Sequence, residues 1–166
     1  MDFTLTDGTR VRIRYIRPTD RDRLATAHGR LSAETIHKRY LAAKPRLTAA
    51  ELAYLTEVDG RNHVAVVAVL ADSPDEIVAV GRFVRLQDEP DAAEVAIVVG
   101  DCHQGHGLGR QLGAVLADEA LTRGIKRFRA SMLAENVPAH RLFSAMTQRL
   151  ESRAGGVDEL VLELAA

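Results

Sequence analysis

Residues 94–110 read EVAIVVGDCHQGHGLGR, and this stretch decides the fold of the chain. Its first part, 94–99, is apolar and typical of a strand, and an amphipathic helix is expected from Leu108 onwards. The glycines at 105, 107 and 109 allow a sharp turn and leave no Cβ in the way of a ligand. The start of the helix adds unpaired N–H groups and the positive end of the helix dipole. A strand, a glycine turn and a helix start in this order predict a cradle for a pyrophosphate.

The spacing of the glycines narrows the choice of ligand. A mononucleotide P-loop needs G-x-x-x-x-G-K-[ST], and Gly100 and Gly105 have this interval, but His106 stands where the lysine must be. A dinucleotide fingerprint needs G-x-G-x-x-G, and frames that begin at the glycines 105 and 107 have no glycine at the sixth position. Neither nucleotide class therefore fits.

The rest of the chain predicts one mixed αβ domain. The 166 residues, of which 46% are hydrophobic and 27% charged, are enough for a single globular domain over 1–166. A short hairpin from Phe3 and further strands are expected at 11–16, 63–71, 77–86, 94–99, 125–133 and 158–164. Helices are expected at about 20–31, 32–43, 48–57, 108–123 and 138–150.

Composition limits the partners and the compartment. The formal net charge of −1 gives no general attraction to nucleic acid or to an anionic membrane. The single cysteine, Cys102, excludes an internal disulfide framework and fits a reducing compartment. The first residues lack the pattern of a signal peptide, so we expect a cytoplasmic protein. His103 and His106 have no evident third ligand, so no metal site is predicted.

The motif Q-x-x-G-x-G at 104–109 resembles the acetyl-CoA loop of the GNAT acetyltransferase superfamily, and the order of strands and helices resembles that family too. The segments 7–9, 16–20, 31–35 and 45–59 resemble the acetyltransferase domains of bacterial protein lysine acetyltransferases. The resemblance implies a central, mostly antiparallel sheet that is splayed at the acetyl-CoA site and has helices on both faces.

The resemblance also implies a set of cofactor-binding residues, with acetyl-CoA as co-substrate. Amides of the loop would bind the pyrophosphate: Gln104, Gly105, His106, Gly107, Leu108, Gly109 and Arg110. The strand residues Ile97, Val98 and Val99 would bind the pantetheine arm, together with Asn136 and Phe143. Other interpretations stay open: the loop as a turn without a ligand, Asn136 as a helix cap, and Phe143 as a core residue.

The chemistry of acetyl transfer requires a base. A lysine amine with a pKa of about 10.4 is almost wholly protonated at neutral pH, and only the neutral amine attacks. A carboxylate can take the proton directly or through a water molecule. Glu94 is the candidate, because a glutamate at this place is the base in lysine-acetylating relatives. Glu57 and Glu135 are weaker candidates, and Glu94 as a solvated charge is the alternative.

The sequence also departs from the family. Phe143 takes the place of a tyrosine that often protonates the leaving thiolate, and Met146-Thr147-Gln148-Arg149-Leu150 replaces the usual L-G-F. We predict an N-acetyltransferase for a primary amine, most of all a protein lysine. A small-molecule amine as acceptor and a non-catalytic CoA-binding sensor remain alternatives. The expected partners are acetyl-CoA and an acceptor protein or small amine, with a homodimer left open.

Overall fold

A computed structural model describes residues 1–165. Eight strands form one sheet in the order β1-β2-β3-β4-β5-β6-β8-β7. Their bounds are β1 Asp2–Thr4, β2 Arg10–Tyr15, β3 His63–Leu70, β4 Ile77–Arg85, β5 Ala92–Val99, β6 Arg127–Leu133, β7 Thr147–Ala154 and β8 Val157–Glu163. The α-helices are α1 Arg21–Gly29, α2 Ala33–Tyr40, α3 Ala49–Thr56, α4 Leu108–Leu121 and α5 Val137–Leu142. The expected mixed, mostly antiparallel sheet is confirmed.

The pairing of the two central strands β5 and β6 differs from the rest of the sheet. Every other neighbouring pair is antiparallel, whereas β5 and β6 are parallel. Their register covers Ala92–Glu94 against Arg127–Arg129 and stops there. Beyond Glu94 the two strands separate, so the sheet is forked at its centre.

Two hydrophobic clusters lie on the two faces of the sheet. Helix α4 covers one face with Leu108, Leu112, Leu116 and Ala120, which are spaced by four residues and form one buried stripe. Burying each of these leucines contributes roughly 1.5–3 kcal/mol. Helices α1 and α3 cover the other face, where Leu24 packs with Val67 and Val80. The helices thus hold the forked strands from both sides.

Local signals set the helix ends largely as the sequence predicts. Thr48 and Glu51 form a reciprocal capping box at the start of α3, with Glu51 N–H donating to Thr48 Oγ1 at 3.2 Å and Thr48 N–H donating to Glu51 Oε2 at 2.8 Å. Helix α2 begins after the Ser32 cap but ends at Tyr40, before the expected residue 43, because Leu41 adopts a left-handed conformation with φ 57°.

The prediction of a helix over 138–150 is wrong for the second half of that range. Helix α5 ends at Leu142, and residues 147–154 form the edge strand β7. Gly155 and Gly156 have φ values of 58° and 77°, which is the conformation of a two-residue hairpin turn, and Ala154 pairs with Val157 across it. The glycine pair therefore turns the chain into a hairpin with β8.

No helix between residues 1 and 165 combines the length and the apolar character that crossing a membrane requires.

Candidate active site

A cleft of about 570 Å³ opens at the fork between β5 and β6. Its walls are residues 94–99 of β5, residues 130–132 of β6, the loop after β5, α5 and the carboxyl-terminal half of α2. The cleft exists because the pairing of the two parallel strands stops at Glu94 and Arg129. Its volume is typical of a site for a small molecule or cofactor.

The loop after β5, residues 100–110, forms one end of this cleft and is called the cofactor loop below. Gly105 and Gly107 have φ values of 78° and 89°, which are costly for any residue with a Cβ. Within the described part of the chain, nothing lies within 4 Å of the place where either Cβ would be. These glycines therefore serve the turn and keep its surface open to a ligand.

The amino terminus of α4 offers hydrogen-bond donors at the same end of the cleft. The first helical bond runs from Gln111 N–H to the Gly107 carbonyl at 3.2 Å. The amides of Leu108, Gly109 and Arg110 precede it and thus have no acceptor within the helix. With the positive end of the helix dipole, they suit a doubly charged pyrophosphate.

Gly109 has a different role from the other two loop glycines. A Cβ at this position would lie 2.7 Å from Leu142 Cδ1. The missing side chain lets α4 approach α5, and this contact sets the width of the cleft where both helices line it.

A hydrogen-bonded clamp joins the cofactor loop to α2 and to the end of β5. Gln104 Nε2 donates to the Val99 carbonyl at 2.9 Å and to Thr35 Oγ1 at 3.1 Å. Asp101 accepts from the Ser32 hydroxyl at 2.6 Å and from the Thr35 hydroxyl at 2.8 Å. Burial acts to raise the pKa of Asp101, but the hydrogen bonds from Ser32 and Thr35 hold it below its ordinary value. Asp101 is thus a charged, fully engaged acceptor.

Glu94 lies at the opposite end of the cleft from the loop, at the last paired position before the fork. Its side chain is exposed and shares a face of β5 with Ala96 and Val98, by the alternation of a strand. Arg39 of α2 lines the same wall. Burial lowers the pKa of Arg39, while the negative charge of Glu94 acts in the opposite direction, so the two charges sense each other.

The structure brings most of the predicted site residues together. The following line the cleft: Glu94, Ile97, Val98, Val99, Gln104, Gly105, Gly107, Gly109, Arg110, Asn136 and Phe143. The side chains of Leu108 and His106 point elsewhere. Leu108 is buried in the core, and His106 Nδ1 lies 3.4 Å from Thr6 Oγ1 beside the amino-terminal hairpin. Only the backbone of these two residues is available to the loop's ligand.

Asn136 and Phe143 each have a structural contact as well as a place on the cleft wall. Asn136 Oδ1 accepts a hydrogen bond from Ala139 N–H at 3.3 Å and caps α5. Phe143 is buried in the core cluster beneath α4. The two alternatives from the sequence, a cap and a core residue, are therefore present in the structure alongside any contact with a cofactor.

Sequence reasoning missed the contribution of α2. Thr35, Lys38, Arg39 and Tyr40 line the cleft, as does Leu41 just after the helix. The Ser32 cap located this helix, but a local pattern does not state which face meets the sheet. The four-residue spacing between Thr35 and Arg39 places both on one side of the helix, and this was the available signal.

The weaker candidates lie outside the cleft. Glu57 Oε1 pairs with Arg21 Nη2 at 2.5 Å on the surface. Glu135 and Cys102 are exposed and are not part of the cleft wall. Residues 1–165 contain no group of three or more His, Cys, Asp or Glu side chains placed to hold a metal ion.

A forked sheet with a glycine-rich anion cradle on one side and a carboxylate on the other defines a domain for transfer from a CoA thioester. The profile described as "Acetyltransferase (GNAT) family" matches residues 32–146. The chain belongs to the acetyltransferase (GNAT) family, which confirms the predicted family.

Comparison with individual proteins agrees with this assignment. The chain is 34% identical over 135 residues to Acetyltransferase Pat of Mycolicibacterium smegmatis, which is 81% of this chain and 40% of that protein. It thus spans well under half of that relative's length. The GNAT domain of S. lividans PAT superposes with a TM-score of 0.89 and 32% identity, covering 99% of this chain and 96% of that one.

A more distant structure shares the fold alone. It is yncA, a putative acetyltransferase from Salmonella typhimurium with its cofactor acetyl-CoA. The TM-score is 0.72 at 19% identity, covering 93% of this chain and 94% of that one. The forked sheet is therefore a shared framework, and the two Pat domains support the resemblance of this chain to bacterial protein acetyltransferase domains.

Proposed function

We propose that residues 1–166 act as one N-acetyltransferase domain that moves an acetyl group from acetyl-CoA to the side-chain amine of a protein lysine. The observation that carries this proposal is the position of Glu94 at the fork, in the same cleft as the glycine cradle. The proposed acetyl-CoA site and the proposed base, Glu94, therefore open onto the same cleft.

The cleft offers a binding surface for each part of acetyl-CoA. The amides of Leu108, Gly109 and Arg110 and the open turn at 105–107 suit the pyrophosphate. Residues 97–99 of β5 pair with β4 on one side but lie beyond the pairing with β6, so backbone groups that face away from β4 can hydrogen-bond the pantetheine amides. Asn136 and Phe143 on the opposite wall would contact the same arm. This arrangement directs the thioester toward the fork.

Glu94 acts as general base in the proposed reaction. It takes a proton from the lysine ammonium, directly or through one water molecule, and the neutral amine attacks the carbonyl carbon of the thioester. A C–N bond forms, the C–S bond breaks, and the electron pair of that bond leaves on the CoA sulfur, while the nitrogen releases its second proton to solvent water. Backbone N–H groups of the fork stabilise the negative charge that develops on the carbonyl oxygen.

The leaving group needs no dedicated acid in this scheme. Phe143 carries no proton to donate, and its aromatic ring is buried in the core. A thiol has an ordinary pKa of about 8.5, so a thiolate is a stable leaving group near neutral pH and takes its proton from water. A phenylalanine at this position is therefore compatible with transfer.

Two observations favour a protein as the acceptor. The matched relatives include the Pat acetyltransferase domains, to which segments along the chain are similar. In addition, Glu94 is exposed, so a lysine on the surface of another protein can reach it. A small-molecule amine is the second candidate, because the cleft has the size of a small-molecule site.

The experiment is acetyl transfer from isotopically labelled acetyl-CoA to a panel of purified proteins and primary amines, read by mass spectrometry. We expect labelled acetyl-lysine on at least one protein, at a rate that depends on enzyme concentration. Labelling of small amines alone would replace the protein by the second candidate. Saturable acetyl-CoA binding without transfer to any acceptor would contradict an enzyme and favour a CoA-binding sensor.

A further inference from the structure

Two arginines beside the cleft are buried or half-buried without a carboxylate partner. Arg82 of β4 is 6% exposed, and its Nη1 donates to the Leu55 carbonyl at 3.2 Å and to His63 Nε2 at 3.0 Å. Arg39 is half-buried, with its guanidinium carbon 4.7 Å from the centre of the Tyr40 ring. Within residues 1–165 no carboxylate is in salt-bridge contact with either guanidinium, although the negative charge of Glu94 acts on Arg39 from a greater distance.

Ten other arginines in the chain have a carboxylate in contact. Those that pair with Asp or Glu are Arg10, Arg12, Arg14, Arg21, Arg23, Arg30, Arg123, Arg127, Arg129 and Arg153. Most of those lie near the surface, where water would already screen their charge. Arg82, which is buried, thus has no carboxylate in contact, and Arg39 has Glu94 only at a greater distance.

Both arginines line one cavity, called the basic cavity below. Its volume is about 50 Å³, and it lies between the sheet and helices α1 to α3. Arg39, Tyr40, Ala96 and Val98 line both this cavity and the cleft, so the two spaces share a wall near Glu94. The volume corresponds to roughly three to four water molecules, which is the size of a carboxylate with its first carbon.

The charges in this region reinforce one another. Burial lowers the pKa of Arg82 to about 10, and the positive charge of Arg39 acts in the same direction. Burial also lowers the pKa of His63 to about 4, with Arg82 contributing, so His63 is neutral at neutral pH. Tyr40 and His28 also line the cavity, and His28 hydrogen-bonds the Lys44 carbonyl through Nε2 at 2.7 Å. The basic cavity therefore carries excess positive charge in a poorly hydrated place.

Such an arrangement is costly until an anion enters. A buried charge without a partner destabilises a protein, and two like charges add repulsion. A carboxylate would offset one of the two positive charges and could contact both guanidinium groups, which bind carboxylates with paired, charge-assisted hydrogen bonds. An anionic ligand between the two guanidinium groups would therefore offset part of their desolvation cost.

We propose that the acceptor carries a carboxylate close to the acetylated amine, and that this carboxylate binds between Arg39 and Arg82 while the ammonium group reaches Glu94. The cleft thus recognises both charges of the acceptor. The inference rests on the proposed function in taking a primary amine to be the group that reaches Glu94. The carboxylate belongs either to an acidic residue beside the lysine in a protein or to a small amine itself.

Matched acceptors test this inference. One pair is a lysine peptide with a neighbouring Glu and the same peptide with Gln, and the other is 5-aminopentanoate and 5-aminopentanamide. We expect wild-type kcat/KM to favour the carboxylate in at least one pair by tenfold or more, and the favoured pair identifies its source. R39Q should abolish this preference, whereas R61Q, at an exposed arginine outside the site, should keep it. Equal rates within both pairs, or a preference that survives in R39Q, would overturn the inference.

A binding measurement covers the case in which no transfer is found. The probe is glutarate, with glutaramide as its neutral match, and the readout is the thermal unfolding midpoint without acetyl-CoA. Glutarate should stabilise the wild type and R61Q in a saturable way but not R39Q, even if the acetyltransferase proposal fails. Identical midpoints with the two compounds would overturn the inference. R82Q is a second variant for the same measurement. If R82Q does not fold, the comparison of R39Q with the wild type is sufficient.

Discussion

The carboxylate of Asp101 accepts a hydrogen bond from the Thr35 hydroxyl at 2.8 Å, and this contact ties the cofactor loop to α2. Thr35 lies four residues before Arg39, so the hydrogen-bonded clamp and the Arg39 side chain are on the same side of α2. Gln104 adds a second bond to Thr35 from the loop. The donor side and the acceptor side of the cleft are therefore held as one unit.

Removing the clamp should weaken both substrates together. D101A deletes the acceptor of the Ser32 and Thr35 hydroxyls, and hydrogen bonds to a charged group contribute about 1.5–3 kcal/mol each. We expect KM for acetyl-CoA and for the acceptor to rise about tenfold each, measured by steady-state kinetics. D72A removes an exposed carboxylate far from the cleft and should leave both values unchanged. A change in neither KM would show that the clamp does not position the site.

The glycine at 107 should matter for affinity beyond its effect on stability. G107A places a Cβ on a backbone with φ 89°, which costs roughly 1–2 kcal/mol and distorts the start of α4. G60A imposes comparable strain at φ 69° in a turn away from the cleft. We expect similar losses of unfolding free energy in the two variants, but weaker acetyl-CoA binding by calorimetry only in G107A. Equal affinities would remove the turn from the pyrophosphate site.

Asn136 offers a way to separate a helix cap from a cofactor contact. N136D keeps an oxygen that can accept from Ala139 N–H, but loses the amide donor and adds a negative charge. N136A also loses the cap and should cost about 1 kcal/mol of unfolding free energy. We expect N136D to unfold like the wild type but to bind acetyl-CoA more weakly. Wild-type binding by N136D would leave Asn136 with the capping role alone.

Stability should fall in mildly acidic solution because of His63. Its folded-state pKa of about 4 lies below an unfolded value of about 6.5. Between these pH values the unfolded chain binds more protons, so unfolding becomes easier as the pH drops from 6.5 to 4. Urea unfolding at several pH values should show this slope, and H63Q should flatten it.

One carboxylate overlaps with the lower end of this window: the hydrogen bond from Lys44 lowers the pKa of Glu51 from 4.5 to about 2, so its contribution to stability begins to be lost near pH 4.5. Burial acts to raise the pKa of Asp20, but hydrogen bonds from Arg14 hold it below its ordinary value of 3.8. Its contribution to stability is therefore lost only at lower pH than that of His63. The difference between the wild type and H63Q isolates the histidine, and identical pH slopes would show that His63 is not buried as a neutral group.

Residues with strong local signals were predictable from the sequence. The stretch 94–110 carries strand, turn and helix signals in one segment, and it predicted the loop and the position of Glu94 at the strand that enters it. Thr48 and Glu51 likewise predicted the start of α3, because a capping box involves four consecutive residues only. Local interactions decide such features.

Features that depend on distant contacts were not predictable in this way. Most residues of 147–154 are exposed, so they show no alternation, and pairing with β8 determines their strand. Gly155-Gly156 was the overlooked signal. Similarly, Arg39 and Arg82 lie 43 positions apart in the sequence, and only the packing of α2 on the sheet places them at one cavity. No local pattern contains that information.

The role of Glu94 as general base is tested most directly by the pH dependence of kcat/KM for acetyl transfer in the wild type, E94Q and E163Q. Glu163 is exposed on β8, outside the cleft, and controls for the loss of one carboxylate. We expect E94Q to bind acetyl-CoA like the wild type but to transfer the acetyl group about 100-fold more slowly at pH 7. The deficit should shrink as the pH approaches the lysine pKa of about 10.4, because the amine then needs no base. If E94Q transferred the acetyl group at pH 7 as fast as the wild type and E163Q, Glu94 would not be the general base.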